Sequence, residues 1–351
     1  MRYRRIAAVI IAAVSIATLT GCAAAVAVKT NAPVVAAPSA TPTPTPVATG
    51  PTLRVHTTCD ELMPAAIIQP LTGANLSPVA REHTMNPTGY GNARVGSLEC
   101  EWSNGKPSGA DGSVTVYVTV APDATRDGFE YFLNGESGGG TPSTVGPDTY
   151  LVHPSSGFGG FFFLTSGYGA SGYIVGGAGT TVPPTASQSF LERVYGIVSA
   201  LPAPDSLWKP TPDLRGTTDC DGLATADQLA ATVGLVSARV SKSDDGEYST
   251  SLFDVDRQVG GYNCIWTSDG PSNADARVAV LPGGAVYASQ VRTDGARDIS
   301  GLGDSAFIGG DGDLNVIAAD GWVQVGATGA TDDQLVALAQ VVLTNNGYMR
   351  G

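Results

Sequence analysis

The sequence predicts an α+β protein of two tandem similar domains, each an antiparallel sheet packed with helices and closed by one disulfide. Three observations carry this. Four of the five cysteines fall as Cys59 and Cys100, then Cys220 and Cys264, 41 and 44 residues apart. The landmarks around them recur in the same order in both halves. Within each half, segments of period 2 alternate with segments of helical period.

The chain opens on a leader, residues 1–21. Arg2, Arg4 and Arg5 precede an apolar run over residues 6–18, the layout of a secretory signal. Leu19-Thr20-Gly21-Cys22 resembles the lipobox of bacterial lipoproteins, which implies acylation of Cys22 and anchoring to membrane lipid on the extracytoplasmic face of the cell membrane. An uncleaved N-terminal membrane helix over residues 6–28 is the other reading. Residues 22–51 are rich in Ala, Pro and Thr and end in Thr41-Pro42-Thr43-Pro44-Thr45-Pro46. Such a segment buries too little to fold and is expected to act as a disordered tether.

The first domain is expected over 52–203, a Pro-rich linker over 204–216, and the second domain over 217–351. Cys59-x-x-Leu62 matches Cys220-x-x-Leu223, and Gly73 and Gly234 follow their cysteines at equal distance. A short helix fits between them, with Pro64 in its first turn and Pro70 limiting it in the first half. In the second half Thr225 and Gln228 form a capping box. Cys100-Glu101-Trp102 and Cys264-Ile265-Trp266 read as strands in which cysteine and tryptophan share a face. Strict alternation over 114–120 and 277–280 marks the next strands. Short helices follow near 124–134 and 284–293. Strands are expected around 148–152, 159–165 and 170–176, and around 304–309, 313–318 and 321–326. Each half closes on an amphipathic helix, opened by Thr185 and Gln188 in one and by Thr331 and Gln334 in the other.

The net charge of −13 sits mostly in the second half, where residues 205–351 hold 20 acids against 9 bases. An acidic body of this kind excludes nucleic acid as a partner. The cysteines lack the Cys-x-x-Cys or Cys/His clustering of redox and zinc sites, so disulfides Cys59–Cys100 and Cys220–Cys264 are expected. His56, His83 and His153 are scattered and read as solvated loop residues. Asp311-Gly312-Asp313-Leu314-Asn315 begins like a calcium loop, but Val316 and Trp322 occupy the positions that need Gly and Glu. It reads instead as a hairpin turn. The clusters Gly138-Gly139-Gly140 and Gly176-Gly177-Ala178-Gly179 lack the lysine and the frame of a phosphate loop. Ser243-Asp244-Asp245-Gly246-Glu247 reads as a solvated loop. No catalytic residue, metal site or cofactor is expected, and the chain reads as a non-enzymatic binding or envelope-associated module.

The segment from Phe158 to Tyr173 is the most unusual. In a strand Phe162 faces away from Phe161 and Phe163, so each face carries aromatic surface. With Phe158, Tyr168 and Tyr173, these residues form either a packing face or a groove for an apolar or cell-wall ligand, or for an envelope protein partner. Taken together, the lipobox, the Thr/Pro tether, Cys-x-x-Leu, Cys-x-Trp and Gly301-Leu302-Gly303-Asp304-Ser305-Ala306-Phe307 resemble a family of uncharacterised actinobacterial lipoproteins. The first half departs at the last motif, where Pro147 intervenes and Gly-Asp is lost. The resemblance implies a PsbP-like α+β sandwich and no established activity.

Overall fold

In the computed structural model, the described residues are 49–134, 140–155, 157–183, 185–210, 214–241, 247–248, 251–268 and 275–348. The leader, Cys22 and nearly all of the tether lie outside them.

The first half runs α1 (Cys59–Leu62), α2 (Ala65–Thr72), β1 (Ser77–Val79), a 3₁₀ turn at Pro87–Tyr90 continued by α3 (Gly91–Arg94), β2 (Leu98–Ser103), β3 (Val114–Pro122), α4 (Arg126–Asn134), β4 (Thr141–Pro142), β5 (Thr149–Ser155), β6 (Phe158–Leu164), β7 (Tyr168–Gly176) and α5 (Ala186–Val198). The second half runs α6 (Ala226–Val233), β8 (Arg239–Val240), β9 (Glu247–Tyr248), a 3₁₀ segment at Leu252–Val259, β10 (Tyr262–Thr267), β11 (Asp275–Leu281), α7 (Ala285–Ala288), a 3₁₀ turn at Ser289–Val291, β12 (Arg297–Ile299), β13 (Ser305–Ile308), β14 (Leu314–Ala318), β15 (Gly321–Ala327) and α8 (Asp332–Asn345).

Each half builds one antiparallel sheet. The first has the order β1-β2-β3-β7-β6-β5-β4, and the second β8-β10-β11-β15-β14-β13-β12, with β9 also paired to β10. The two orders are the same, and so is the register around the cysteines. Cys100 lies opposite Val118 and Trp102 opposite Val116, as Cys264 lies opposite Val278 and Trp266 opposite Ala276.

Both disulfides form, with Cα atoms 5.6 and 5.7 Å apart. Each lies on the inner face of its sheet beside its buried tryptophan. There α5 covers the first sheet through Phe190, Leu191 and Val194, and α8 covers the second through Leu335, Leu338 and Val342. Full burial of each such side chain is worth about 1.5–3 kcal/mol, so these helices hold much of the core.

Local chemistry sets the helix ends. Thr225 with Gln228, and Thr331 with Gln334, form complete capping boxes. Thr185 does not cap α5, because it takes helical φ/ψ and its hydroxyl makes no cap bond. Pro70 does not end α2, which continues to Thr72 before Gly73 stops it in the left-handed conformation. Asp311-Gly312 forms the turn of the β13–β14 hairpin, with Gly312 at φ +86°.

The described residues belong to one compact unit, Val47–Gly351. The reason is an exchange of arms. Residues 87–94, just ahead of β2, pack on the outer face of the second sheet, where Tyr90 is buried among Leu281, Phe307 and Trp322. Residues 252–259, just ahead of β10, pack on the outer face of the first sheet, where Phe253 is buried among Ala121, Phe129, Phe162 and Leu164. The polar pins are equivalent too. Arg94 and Gln258 each precede the strand cysteine by the same interval. Arg94 Nε donates to the carbonyl of Pro282 at 2.6 Å, and Gln258 Nε2 to that of Pro122 at 2.9 Å. The arms touch where the Leu252 amide donates to Asn92 Oδ1 at 3.0 Å. Gly169 makes room for this packing, since a Cβ there would overlap the Phe253 ring.

Candidate functional site

The 252–259 arm and α4 cover only part of the first sheet's outer face. Pleating places Glu99 and Glu101 of β2 on that face, opposite in direction to Cys100 and Trp102. Register then builds two rows across the strands. One row is Glu99, Thr119, Ser171 and Phe162, and the other is Glu101, Tyr117, Tyr173 and Gly160. The first row ends under the arm at Phe162. The second stays open.

A cavity of about 320 Å³ lies over these rows, with Thr119 and Ser171 in its floor and Phe158, Tyr173 and Tyr117 among its walls. Phe158 and Tyr173 stack with ring centroids 5.7 Å apart. Gly160 lacks the Cβ that would meet the Tyr173 ring, so the tyrosine lies across β6. At the β2 end Arg81 holds its guanidinium over Tyr117, 5.2 Å from the centroid, a cation–π contact.

Charges gather at that end. The Glu99 side chain is only 10% exposed, with Arg81 Nε 3.6 Å and His83 Nδ1 3.9 Å from its carboxylate. Asn92 Nδ2 donates to it at 3.3 Å. Burial pushes the Glu99 pKa above the usual carboxylate range, against the smaller opposing pull of Arg81 and His83. Burial likewise raises Glu101 and the Tyr117 phenol. Beyond Glu99, His83 stacks on Tyr90 at 4.6 Å, and Tyr90 on Tyr287 at 5.2 Å. Burial drives the Tyr287 phenol up to about 12. A continuous run of side chains thus joins the open face of the first sheet to the second lobe.

The six aromatic residues singled out in the sequence divide. Phe161 and Phe163 are buried in the inner core, with Phe161 edge-on to Phe190 at 4.8 Å. Phe162 is buried on the other side, stacked on Tyr150 at 5.3 Å and packed under Phe129, Phe132 and Phe253. Tyr168 is 2% exposed, and its hydroxyl donates to the carbonyl of Pro202 at 2.9 Å. These four are therefore packing residues. Only Phe158 and Tyr173 line the groove.

His83 is not a solvated loop residue, because its ring stacks on Tyr90, its Nδ1 lies 3.2 Å from the Gly89 carbonyl and 3.9 Å from the Glu99 carboxylate, and its side chain is only 20% exposed. His56 is more open and lies 3.5 Å from Asp205. The His153 side chain, Gly138, Gly139 and residues 243–246 fall outside the description. Sequence reasoning missed Arg81, Glu99 and Tyr117. The alternation Glu99-Cys100-Glu101-Trp102 was the available signal, since two carboxylates must share the face opposite the disulfide.

The arrangement offers a ligand flat apolar rings, a hydroxyl floor and a charged rim. Among the described residues, no group of three His, Cys, Asp or Glu side chains could hold a metal ion, and no helix is long and apolar enough to cross a membrane. No family model matches the chain, and neither a curated protein nor a solved structure matches it.

Proposed function

We propose that this protein is a non-enzymatic binding module, held by acylated Cys22 at the extracytoplasmic face of the cell membrane, which captures an apolar or cell-wall ligand in the first lobe's groove. The observation that carries the reading is the half-exposed pair Phe158 and Tyr173, stacked together on a stretch of sheet that the crossing arm leaves uncovered. Half-exposed aromatic rings lose apolar surface to a ligand at about 25 cal/mol per Å² of area buried. The hydroxyls of Thr119 and Ser171 and the Arg81 guanidinium orient the ligand's polar end. The leader and the resemblance to actinobacterial lipoproteins support the location. The second sheet carries Arg277, Ala279 and Gln324 at the positions of Tyr117, Thr119 and Ser171, so this aromatic groove is a specialisation of the first lobe.

Native mass spectrometry of the acylated protein purified from its own membrane tests the proposal. A co-purifying mass is expected on the native protein. It should be lost from Tyr173→Ala while the melting temperature moves by no more than a few degrees. A native protein without any bound mass, or a mass retained in full by the variant, overturns the groove as the site.

A further inference from the structure

The second lobe has its own open face, with different chemistry. Asn263 and Ile265 of β10 occupy the places that Glu99 and Glu101 hold in β2. Arg277 lies opposite Ile265, and Gln324 lies opposite Ala279. A cavity of about 270 Å³ opens above them. The chain at Thr84–Asn86, which leads into the crossing arm, forms its roof, and Gln324 Nε2 pins it by donating to the Met85 carbonyl at 3.1 Å.

Three features make this a built site. Asn263 is 4% exposed and lines the cavity, and among the described residues no hydrogen bond of its side-chain amide is found. Its counterpart Glu99 has three partners, so the empty amide is not a property of the position. The amide opens on the cavity and offers two donor hydrogens and an acceptor oxygen to a ligand that displaces water there. Asp313, 7% exposed, meets Arg277 Nη2 at 3.1 Å and Nε at 3.3 Å, leaving its other carboxylate oxygen without a bond from that arginine. Ile265 and Ala279 provide an apolar patch between these polar groups.

The charges choose the ligand class. Asp311 and Asp313 oppose an anion, and Arg277 opposes a cation. A neutral group that both donates and accepts hydrogen bonds and carries a C–H face meets neither opposition and suits the mixed lining. Vicinal hydroxyls on a ring meet all three demands. The cavity is slightly below the roughly 300–1,000 Å³ of drug-sized pockets, the scale of a single ring. We infer that the groove over Asn263, Ile265, Arg277, Asp313 and Gln324 binds one ring of a neutral polyhydroxylated ligand, a sugar residue. The Asn263 amide and Asp313 carboxylate take its hydroxyls, and Ile265 takes its apolar face. This site is separate from the aromatic groove and does not depend on it.

The test is an NMR titration of the whole folded body, following the side-chain amide of Asn263. The probes are glucose, mannose, galactose and N-acetylglucosamine, with inorganic phosphate and calcium chloride as charged controls. At least one sugar is expected to shift the Asn263 amide saturably, and both controls should leave it in place. Asn263→Ala, read through neighbouring backbone amides, and Ile265→Trp, which fills the open groove rather than the core, are each expected to weaken binding at least tenfold with little change in melting temperature. A flat response to all four sugars, a saturable response to phosphate or calcium, or undiminished sugar binding by Ile265→Trp overturns the inference.

Discussion

Glu99 is the residue at which fold and candidate site meet. Its carboxylate is buried at the groove rim, and the same burial that raises its pKa sets a pH dependence. The folded protein holds the Glu99 proton more tightly than the unfolded chain, whose ordinary value is 4.5. The contribution of that proton to stability is therefore full below the unfolded value. It is lost as pH rises through the raised folded value, because ionisation then occurs in a poorly solvated place. Arg81 and His83 offset part of that cost but do not reverse it. Glu99→Gln removes the ionisation and keeps an acceptor for Asn92. The variant is expected to gain stability relative to the native protein as pH rises from 4 to 7. Urea midpoints at pH 4, 5.5 and 7 check this, and Glu101 and Asp313, also raised, cancel in the difference. Midpoints that run parallel would assign the burial cost elsewhere. The face of Glu99 was legible from its alternation with Cys100 and Trp102. Its burial was not, because that depends on Arg81, His83 and Asn92 arriving from other segments.

Among the elements, the crossing arms had the least visible sequence signal. Strands and long helices announce themselves by period, and the two sheets follow the alternation and the repeated Cys-x-Trp segments closely. Residues 87–94 and 252–259 are short 3₁₀ and helical turns with no sustained period, and Phe253 and Asp254 both take positive φ. Their equivalence lies in spacing alone: Arg94 and Gln258 stand at the same interval before the cysteine, and Pro122 and Pro282 each close the following strand or its end. The two pins are chemically unequal. Arg94 is 2% exposed, bonds the carbonyls of Pro282 and Trp208, and lies 5.0 Å over the Trp208 ring. Charged hydrogen bonds of this kind are worth about 1.5–3 kcal/mol each, and truncation leaves a buried carbonyl without its donor. Arg94→Ala is expected to cost about 3 kcal/mol. Gln258 is half-buried and neutral, so Gln258→Ala is expected to cost about 1 kcal/mol. Denaturant titration of both variants measures the ratio, and equal losses would show that the arms are held by their apolar contacts instead.

At the scale of the molecule, the exchange of arms decides whether two repeated sheets behave as two domains or one. The duplicated landmarks give two tandem domains with a Pro-rich linker between them, and the crossing arms pack each of them against the other. Without the second half, Phe129, Phe162 and Leu164 lose Phe253 and face water; without the first, Leu281, Phe307 and Trp322 lose Tyr90. Each lobe then exposes an apolar patch that its own residues cannot cover. Folding energy is therefore shared across the halves. The body is expected to melt in a single transition, with calorimetric and van't Hoff enthalpies in agreement. A disulfide provides the sharper check, because it acts on one half only. Each bridge closes a loop of some 40 residues, worth about 4 kcal/mol in the chain-entropy model. Replacing Cys220 and Cys264 by alanine should lower the single melting temperature by roughly 5–10 °C. Hydrogen exchange should then quicken in β3 and β7 of the first sheet as much as in β11 and β15 of the second. Protection lost in the second sheet alone, or a melting curve that divides in two, would mean that the arms dock on lobes already folded by themselves.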